Sequence, residues 1–405
     1  MIPLVITRTL RTAAVRSCPS ALSRPGQSRD FVSAHNNTGA PFSVLFFGTD
    51  SFSLPTLALL ASSPNLASHI SVMCPQDAAC GRGLKSQPCT VKQFALQHSL
   101  PVPLYFLRFH DANPYYLQVF HPVHGKSMRD TPVPPCPSSP DCRWDVGVVV
   151  SYGFFVPARF ISSFHHGAIN GHPSLLPRYR GPAPLTHTLL NDDRKSGVCV
   201  IDVSAAAFDV GSVLLKSEIH VPASALYDEF RSTMADHTAR CIATVLADLQ
   251  AFRSSAVSQA SLQREHGEPT LAPKVSKSHA LIDPAATSVR TLICKYRAFH
   301  GSLGIRLLLN EPQKRRVSMD EVDCCSSWGH GSSQQLLQAA ASATPGCAIF
   351  DKVGKCVWVR CIDGWVSAQR FTVEGKKSCD AAAFANGYGI SSSRPREAFA
   401  VNVSD

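Results

Sequence analysis

The chain has 405 residues, of which 44% are hydrophobic and 17% are charged, so it can bury a large core and form about two domains. It has no apolar run of the ~18 residues that a membrane-spanning helix needs, so we do not expect an integral membrane protein. The 15 cysteines are odd in number and form no CxxC pair, which predicts mostly reduced thiols rather than a disulfide scaffold or a zinc module.

The positive charge is unevenly distributed along the chain. The formal net charge is +10, of which residues 1–30 contribute +4. Residues 31–272 contain 17 basic and 17 acidic residues, whereas residues 273–405 contain 17 basic and 11 acidic residues. A neutral body suits an enzyme that acts on a small molecule, and a basic C-terminal region suits a polyanion such as nucleic acid. A surface charged only for solubility would show the same excess.

The first 30 residues contain Arg among Ser, Thr, Ala and Leu, with no acidic residue before Asp30. Arg8, Arg11 and Arg16 interrupt the apolar run that a secretory signal requires. This composition predicts a mitochondrial transit peptide over residues 1–30, with a disordered cytosolic tail as the alternative.

Short apolar runs alternate with helical segments between residues 42 and 252. The predicted strands are 42–47, 70–73, 102–104, 145–150, 198–203 and 213–221. The predicted helices are 53–61, 91–97 and 223–252. This alternation indicates a parallel α/β sheet. The Pro-rich segment 132–140 is predicted to be a surface loop.

The composition changes after Phe252. Residues 253–272 are rich in Ser, Gln and Glu, which predicts a linker. Beyond this linker, short strands separated by turns indicate a small β-barrel. The strands are predicted at 305–309, 348–350, 356–361 and 366–373. Residues 320–344 are predicted to form a loop inserted in this barrel.

The segment 167–184 (GAINGHPSLLPRYRGPAP) contains the strongest chemical signal. Asn170 and His172 stand two residues apart on extended backbone, so their side chains point the same way. An amide donor beside an imidazole can stabilise a developing oxyanion. Asp209, at a predicted turn, could supply the carboxylate that orients the imidazole. Each residue taken alone is more simply explained as a cap or a turn residue.

Other chemistries have weaker support. Ser174 lacks the GxSxG turn of a hydrolase nucleophile. The adjacent His165 and His166 have no acidic or cysteine partner at metal-ligand spacing. The chain contains neither GxGxxG nor a Walker loop, so a nucleotide cofactor is weakly supported.

Two segments resemble the signatures of folate-dependent formyltransferases. NGHPSLLPRYRGPAP (170–184) resembles the first, which pairs an Asn with a His two residues later, and FDVGSVL (208–214) resembles the second, which supplies an Asp. FFGTDSFSLPTLALL (46–60) resembles the family's first strand and turn. DVGVVVSYGFFVP (145–157) resembles the strand and turn that precede its active site.

Three further segments resemble the members of this family that act on methionyl-tRNA. GRGLKSQPCTVKQFA (81–95) is similar to their basic loop. APKVSKSHALID (272–283) and VEGKKSCDAAAFANGY (373–388) are similar to the start and the end of their tRNA-binding domain. The basic loop has fewer lysines than in bacterial members, so the individual tRNA contacts stay open.

The resemblance implies a Rossmann-like doubly wound parallel sheet over residues 42–252 and a small OB-like β-barrel that binds tRNA over residues 273–390. It implies formyl transfer from 10-formyltetrahydrofolate to initiator methionyl-tRNA, without a metal, for translation initiation in the mitochondrial matrix. We expect a monomer that does not bind membranes. The implied roles are catalysis by Asn170, His172 and Asp209, folate binding by Ser174, Leu175, Leu176 and Pro177, and tRNA binding by Arg82 and Lys85.

Two classes of alternative remain open. A formyltransferase for a small amine, or a formyltetrahydrofolate hydrolase, would share Asn170, His172 and Asp209 but would lack the basic barrel. A non-catalytic tRNA-binding protein would keep the barrel with a degenerate active site, which the intact trio argues against.

Overall fold

The computed structural model describes residues 40–80, 85–98, 122, 127–323 and 340–401. The strands of its N-terminal part are β1 (Phe42–Gly48), β2 (Ala67–Met73), β3 (Ala78–Cys80), β4 (Lys85–Gln87), β5 (Val146–Val150), β6 (Ala168–His172), β7 (Lys195–Asp202) and β8 (Val213–His220). Six of them form one sheet in the order β2-β1-β5-β6-β7-β8, and β3 pairs with β4 separately. The helices are α1 (Leu54–Ala61), α2 (Thr90–Gln97), α3 (Ala158–Ile161), α4 (Pro184–Leu190) and α5 (Tyr227–Ala247).

The six-stranded sheet is mixed. Strands β2, β1, β5 and β6 run parallel, as the sequence predicts. Strands β7 and β8, which the alternation of strands and helices predicts to be parallel as well, are antiparallel to their neighbours. The connection from β6 to β7 contains only the short helix α4, and His172 at the end of β6 pairs with Cys199. The chain therefore re-enters the sheet at the end where β6 leaves it, which makes β7 antiparallel.

Both faces of the sheet are buried, as expected for a doubly wound fold. Successive residues of a strand point to opposite faces. In β1, Val44 and Phe46 join the core that includes Ile242 of α5. Leu45 and Phe47 join a second core on the other face, whose further members include Trp144, Phe160 and Phe164. The continuous apolar sequence of β1 follows from this burial on two sides.

One predicted helix is divided in two. In place of a single helix over residues 223–252, α5 is followed directly by α6 (Leu249–Ser254). Asp248 between them leaves the helical conformation, with φ −149° and ψ 60°, and its carboxylate accepts a hydrogen bond from Ala251 N. Because this bond caps a new helix, the axis breaks where the apolar spacing alone continues.

The Pro-rich segment 132–140 is only partly a surface loop. Cys136 is fully buried in the second core, and the carbonyl of Pro134 accepts a hydrogen bond of 2.9 Å from Trp144 Nε1. The segment therefore covers one face of the sheet, which its composition does not indicate. The predicted strand at 102–104 lies outside the described residues.

The C-terminal part forms a barrel-like sheet. After α7 (Gln259–His266) and α8 (Val289–Phe299), its elements are β9 (Ile305–Leu308), β10 (Arg316–Asp323), β11 (Cys347–Asp351), β12 (Cys356–Arg360), β13 (Trp365–Val373), β14 (Cys379–Asp380), α9 (Ala381–Gly387) and β15 (Arg396–Glu397). The antiparallel order is β15-β11-β12-β13-β10-β9, with β14 on β13. Phe399 forms a bridge with Leu309, and this contact joins the chain after β15 to the end of β9. Residues 320–323 of the predicted insertion belong to β10, and 324–339 lie outside the described residues.

The segment between the two parts packs against the N-terminal part. The predicted linker contains α7, and Leu271 beyond it pairs in parallel with Arg180. Arg180 N donates to Thr270 O at 2.9 Å, and Ala272 N donates to Arg180 O at 2.7 Å. We call residues 258–273 the strap, since they lie along the loop that follows β6.

A buried arginine connects the C-terminal part to the N-terminal part. Arg297 of α8 is 4% exposed and donates to Asp192 Oδ1 at 2.8 Å, to Ala225 O at 3.1 Å and to Pro222 O at 3.2 Å. Burial raises the pKa of Asp192, but the hydrogen bond from Arg297 and the charge of Arg194 outweigh it and hold that pKa below its usual range. The carboxylate is therefore ionised and paired.

We expect Arg297→Ala to lower the free energy of unfolding by about 3–5 kcal/mol, because it removes the buried donor of the Asp192 carboxylate and of two carbonyls and leaves that carboxylate only the more exposed Arg194 and Arg290. The matched control is Arg290→Ala, since the 77% exposed side chain of Arg290 contacts the same carboxylate at 3.2 Å. An exposed pair contributes about 0–1 kcal/mol. Guanidinium unfolding of both variants measures the difference. Equal losses of unfolding free energy would contradict a special role for the buried Arg297.

Candidate active site

Strand β6 directs Asn170 and His172 to one face of the sheet. Gly171, between them, faces α5. A Cβ atom there would lie 2.6 Å from Thr238 Cγ2 and 2.8 Å from Ile242 Cδ1. Glycine at this position therefore lets the helix pack closely on β6, while the amide and the imidazole point to the opposite face.

The loop between β7 and β8 holds Asp209 in an uncommon conformation. Asp209 has a φ of 56°, in the left-handed region that Asp tolerates better than most residues. Two residues later, a Cβ on Gly211 would lie 1.7 Å from Asp202 O, so only glycine fits. In the sequence DVG, the glycine therefore lets the loop approach β7 closely, and the aspartate places a carboxylate at the site.

The structure brings the three predicted catalytic residues together. Asn170 Nδ2 donates to Asp209 Oδ1 at 3.3 Å, and His172 Nδ1 lies 3.5 Å from the same oxygen. The other carboxylate oxygen accepts a hydrogen bond of 2.9 Å from Gly181 N. His172 Nε2 lies 2.9 Å from Tyr179 O. Because a carbonyl only accepts, Nε2 carries a hydrogen, and Nδ1 is the nitrogen that faces the carboxylate.

The trio lines a cavity of about 610 Å³. Most of its wall is apolar or aromatic, and it includes Val149, Tyr152, Phe154, Phe155, Ile201, Val203 and Phe208. The rings of Phe155 and Phe208 meet edge to face at 5.2 Å, and Phe208 is 56% exposed. Burial raises the pKa of Tyr152, so its hydroxyl stays neutral. An apolar cavity of this size with a few convergent polar groups is typical of a small-molecule site.

The four residues predicted to bind folate do not reach this cavity. Ser174 is fully buried and donates from Oγ to Arg178 O at 2.7 Å. Leu176 packs in a small core of its own. Neither they nor Leu175 and Pro177 are among the residues that line the cavity. Their contacts shape the turn that carries the chain from His172 to Tyr179.

Of the two residues predicted to bind tRNA, the structure describes Lys85, which is exposed on β4 and is not among the residues that line the cavity. Arg82 lies outside the described residues.

Three residues that contact Asn170, His172 or Asp209 are not predicted from the sequence. Gly181 contributes its backbone N–H and Tyr179 its carbonyl, and backbone groups leave no mark on residue type. Gln259 donates to Asp209 O from 50 residues further along the chain, within a segment whose composition indicates a linker.

In the described ranges, no three His, Cys, Asp or Glu side chains are grouped as metal ligands would be. No helix among those residues has the length and apolar character to cross a membrane. Eleven cysteines in those ranges form no disulfide.

Comparison with known proteins assigns the family. The formyl transferase family matches residues 42–246, about half of the chain, and the chain belongs to this family of transferases, as its motifs predict. It is 28% identical over 349 residues to the mitochondrial methionyl-tRNA formyltransferase of Bos taurus and 29% identical to that of Homo sapiens. Each alignment covers 86% of this chain and 78% of the relative.

A solved structure also matches over most of the chain. HypX from Aquifex aeolicus, crystallised in complex with tetrahydrofolic acid, is 14% identical with a TM-score of 0.48. The match covers 86% of this chain and 48% of HypX, so the chain spans about half the length of that protein.

We expect Asn170→Ala, His172→Ala and Asp209→Asn each to lower turnover at least ~10²-fold, because each removes a donor or its carboxylate partner at the cavity. Circular dichroism and thermal melts verify the fold of each variant. His165→Ala is the control, since His165 contacts Asp141 outside the cavity. A folded His172→Ala protein with near-normal turnover would exclude the assignment.

Proposed function

We propose that the protein transfers the formyl group of 10-formyltetrahydrofolate to the α-amino group of methionyl-tRNA in mitochondria. The observation that carries this proposal is the convergence of Asn170, His172 and Asp209 within 3.5 Å at a cavity of a formyl transferase domain. The alignments with relatives named for this reaction cover 86% of the chain, so they extend beyond that domain into the basic C-terminal part, which favours a tRNA acceptor over a small amine.

The reaction is an acyl transfer between two amines. The α-amino nitrogen attacks the formyl carbon and forms a C–N bond, while negative charge develops on the formyl oxygen. The bond between that carbon and N10 of the folate then breaks, so the attacking amine loses a proton and N10 gains one. The ester next to the amine lowers its pKa below the ~7.7–8.0 of a chain terminus, which keeps much of it nucleophilic.

The three side chains have complementary roles in this step. Asn170 Nδ2 and, in the imidazolium form, His172 Nδ1 present donors on one face of β6, where they can hold the developing oxyanion. Asp209 Oδ1 lies close to both donors, so it orients them and can accept the proton of the attacking amine, directly or through water. Gly181 N holds the second carboxylate oxygen, and the carboxylate cannot rotate away without losing that bond.

The apolar part of the cavity is the proposed site of the folate. Its bicyclic ring is flat and would lie against the aromatic wall that contains Tyr152, Phe154 and Phe155. Its charged glutamate tail would extend toward solvent. The SLLP residues 174–177 contribute from behind the wall, by fixing the turn after His172.

A single assay tests the reaction. The purified chain is incubated with methionyl-tRNA and 10-formyltetrahydrofolate, and formylmethionyl-tRNA is detected by mass spectrometry after nuclease digestion. Consumption of the folate without tRNA would instead indicate a hydrolase. Formylation of free amines, but not of the aminoacyl-tRNA, would indicate a small-amine formyltransferase. Asp209→Asn is the inactive control.

The basic barrel is proposed to bind the tRNA phosphates. Lys376 and Lys377 are exposed in the turn between β13 and β14. We expect Lys376→Ala/Lys377→Ala to weaken methionyl-tRNA binding and to reduce the slope of log K against log salt by about 1–2, because each lost phosphate contact removes ~0.7–0.9. The control Lys195→Ala/Arg240→Ala removes two exposed charges from the catalytic domain. Identical slopes for both variants would count against a tRNA role of this turn.

The Arg-rich leader is proposed to direct the protein to the mitochondrial matrix. Residues 1–30 fused to a fluorescent reporter are expected to deliver it there, because the positive charge responds to the membrane potential during import. The same leader with Arg8, Arg11 and Arg16 replaced by Gln serves as the control and is expected to stay cytosolic. A diffuse signal from the unmodified leader would contradict the proposal.

A further inference from the structure

Gln259 is the first residue of α7 and is 4% exposed. Its amide nitrogen donates to Asp209 O at 2.7 Å and to Gly211 O at 2.9 Å. Its amide oxygen accepts from Arg180 Nε at 3.0 Å and from Arg180 Nη2 at 2.7 Å. Both donor hydrogens and both lone pairs of the amide are therefore engaged.

These bonds join the two loops that form the active site. Arg180 lies between Tyr179, whose carbonyl contacts His172, and Gly181, whose N–H contacts the Asp209 carboxylate. The amide nitrogen of Gln259 holds the Asp209 loop, and its oxygen holds this His172-contacting loop through Arg180. One buried side chain thus spans both sides of the histidine–carboxylate pair.

We propose that Gln259 is a positioning residue that fixes the Asp209 carboxylate relative to His172, so that this one side chain of the strap supports the active site from outside it. The left-handed backbone of Asp209 is a costly conformation for a residue other than glycine, and its carbonyl accepts the shorter of the two bonds from the Gln259 amide. Loss of the amide leaves two carbonyls and a guanidinium without their partner. The carboxylate then shifts, and small displacements of catalytic groups lower turnover strongly.

The kinetic test of this inference rests on the proposed function. Gln259→Ala is expected to lower kcat at least ~10-fold with KM for both substrates within ~3-fold, because the binding surfaces stay in place. Gln259→Glu is a second variant of nearly equal size, which keeps the acceptor for Arg180 and loses the donors. It is expected to lose kcat to a similar extent, so the test does not depend on the Ala variant folding.

The matched control is Ser258→Ala. The hydroxyl of Ser258 caps α7 by accepting from Ser261 N, so this variant weakens the same helix and leaves the Gln259 amide intact. Its kcat is expected to stay within ~2-fold of the wild type, since it keeps every bond to the Asp209 loop. An equal loss of kcat in Ser258→Ala would overturn the proposal in favour of general loosening of the strap.

A double-mutant cycle distinguishes action through Asp209 from an independent effect. In the Asp209→Asn background, the additional change Gln259→Ala is expected to alter the residual kcat by less than ~3-fold, because its target is already disabled. Full multiplication of the two losses would overturn the proposal.

A measurement without substrates separates this inference from the proposed function. The imidazole resonances of His172 in the full chain, identified by their loss in His172→Asn, are expected to shift in Gln259→Ala and not in Ser258→Ala. Unchanged resonances in both Gln259 variants would overturn the positioning role. If the variants show this pattern of shifts but the wild-type chain formylates no methionyl-tRNA, the proposed function alone is refuted.

Discussion

The carboxylate of Asp209 is the point at which separate parts of this chain are held in one arrangement. One oxygen lies within 3.5 Å of Asn170 and His172 from β6, and the other accepts from Gly181 N. A buried carboxylate must keep its hydrogen bonds, because their loss costs several kcal/mol. The β6 strand, the loop that follows it and the β7–β8 loop are therefore mutually fixed.

The mixed sheet makes this meeting possible. A parallel β7 would require a long crossover, whereas the antiparallel β7 returns directly beside β6, with Asn170 paired to Ile201. The loop after β7 can then lie on the face of β6 opposite α5. Gly171 turns its missing side chain toward α5, so the helix supports the strand from behind while the open face receives Asp209.

The sequence predicts features that depend on residue type and local spacing. The predicted strands that the structure describes lie within about three residues of their expected bounds, because apolar runs of β-forming residues mark them directly, whereas β10 is not predicted. The trio is found because Asn170 and His172 share a strand and Asp209 follows in a turn. The direction of β7 and β8, the break at Asp248 and the packing of the strap depend on contacts between distant segments, which a local pattern does not contain. For Ser174–Pro177 the motif predicts contact with the folate, whereas these residues do not line the cavity. Leu176 packs instead against Ile201, which does line it.

Two sets of contacts connect the barrel to the part of the chain that forms the active site. Arg297 fastens α8 to Asp192, and the strap reaches the catalytic loops through Gln259 and Thr270. With two such attachments the barrel is held in a defined orientation, unlike a domain on a flexible linker, whose effective concentration depends only on tether length. A tRNA bound by the barrel would therefore present its end to the cavity in one geometry. For the same reason, truncation within residues 253–272 would remove the barrel but also disturb the catalytic loops. The proposed tRNA binding is therefore separated from formyl transfer by substituting charged surface residues of the barrel and not by truncation.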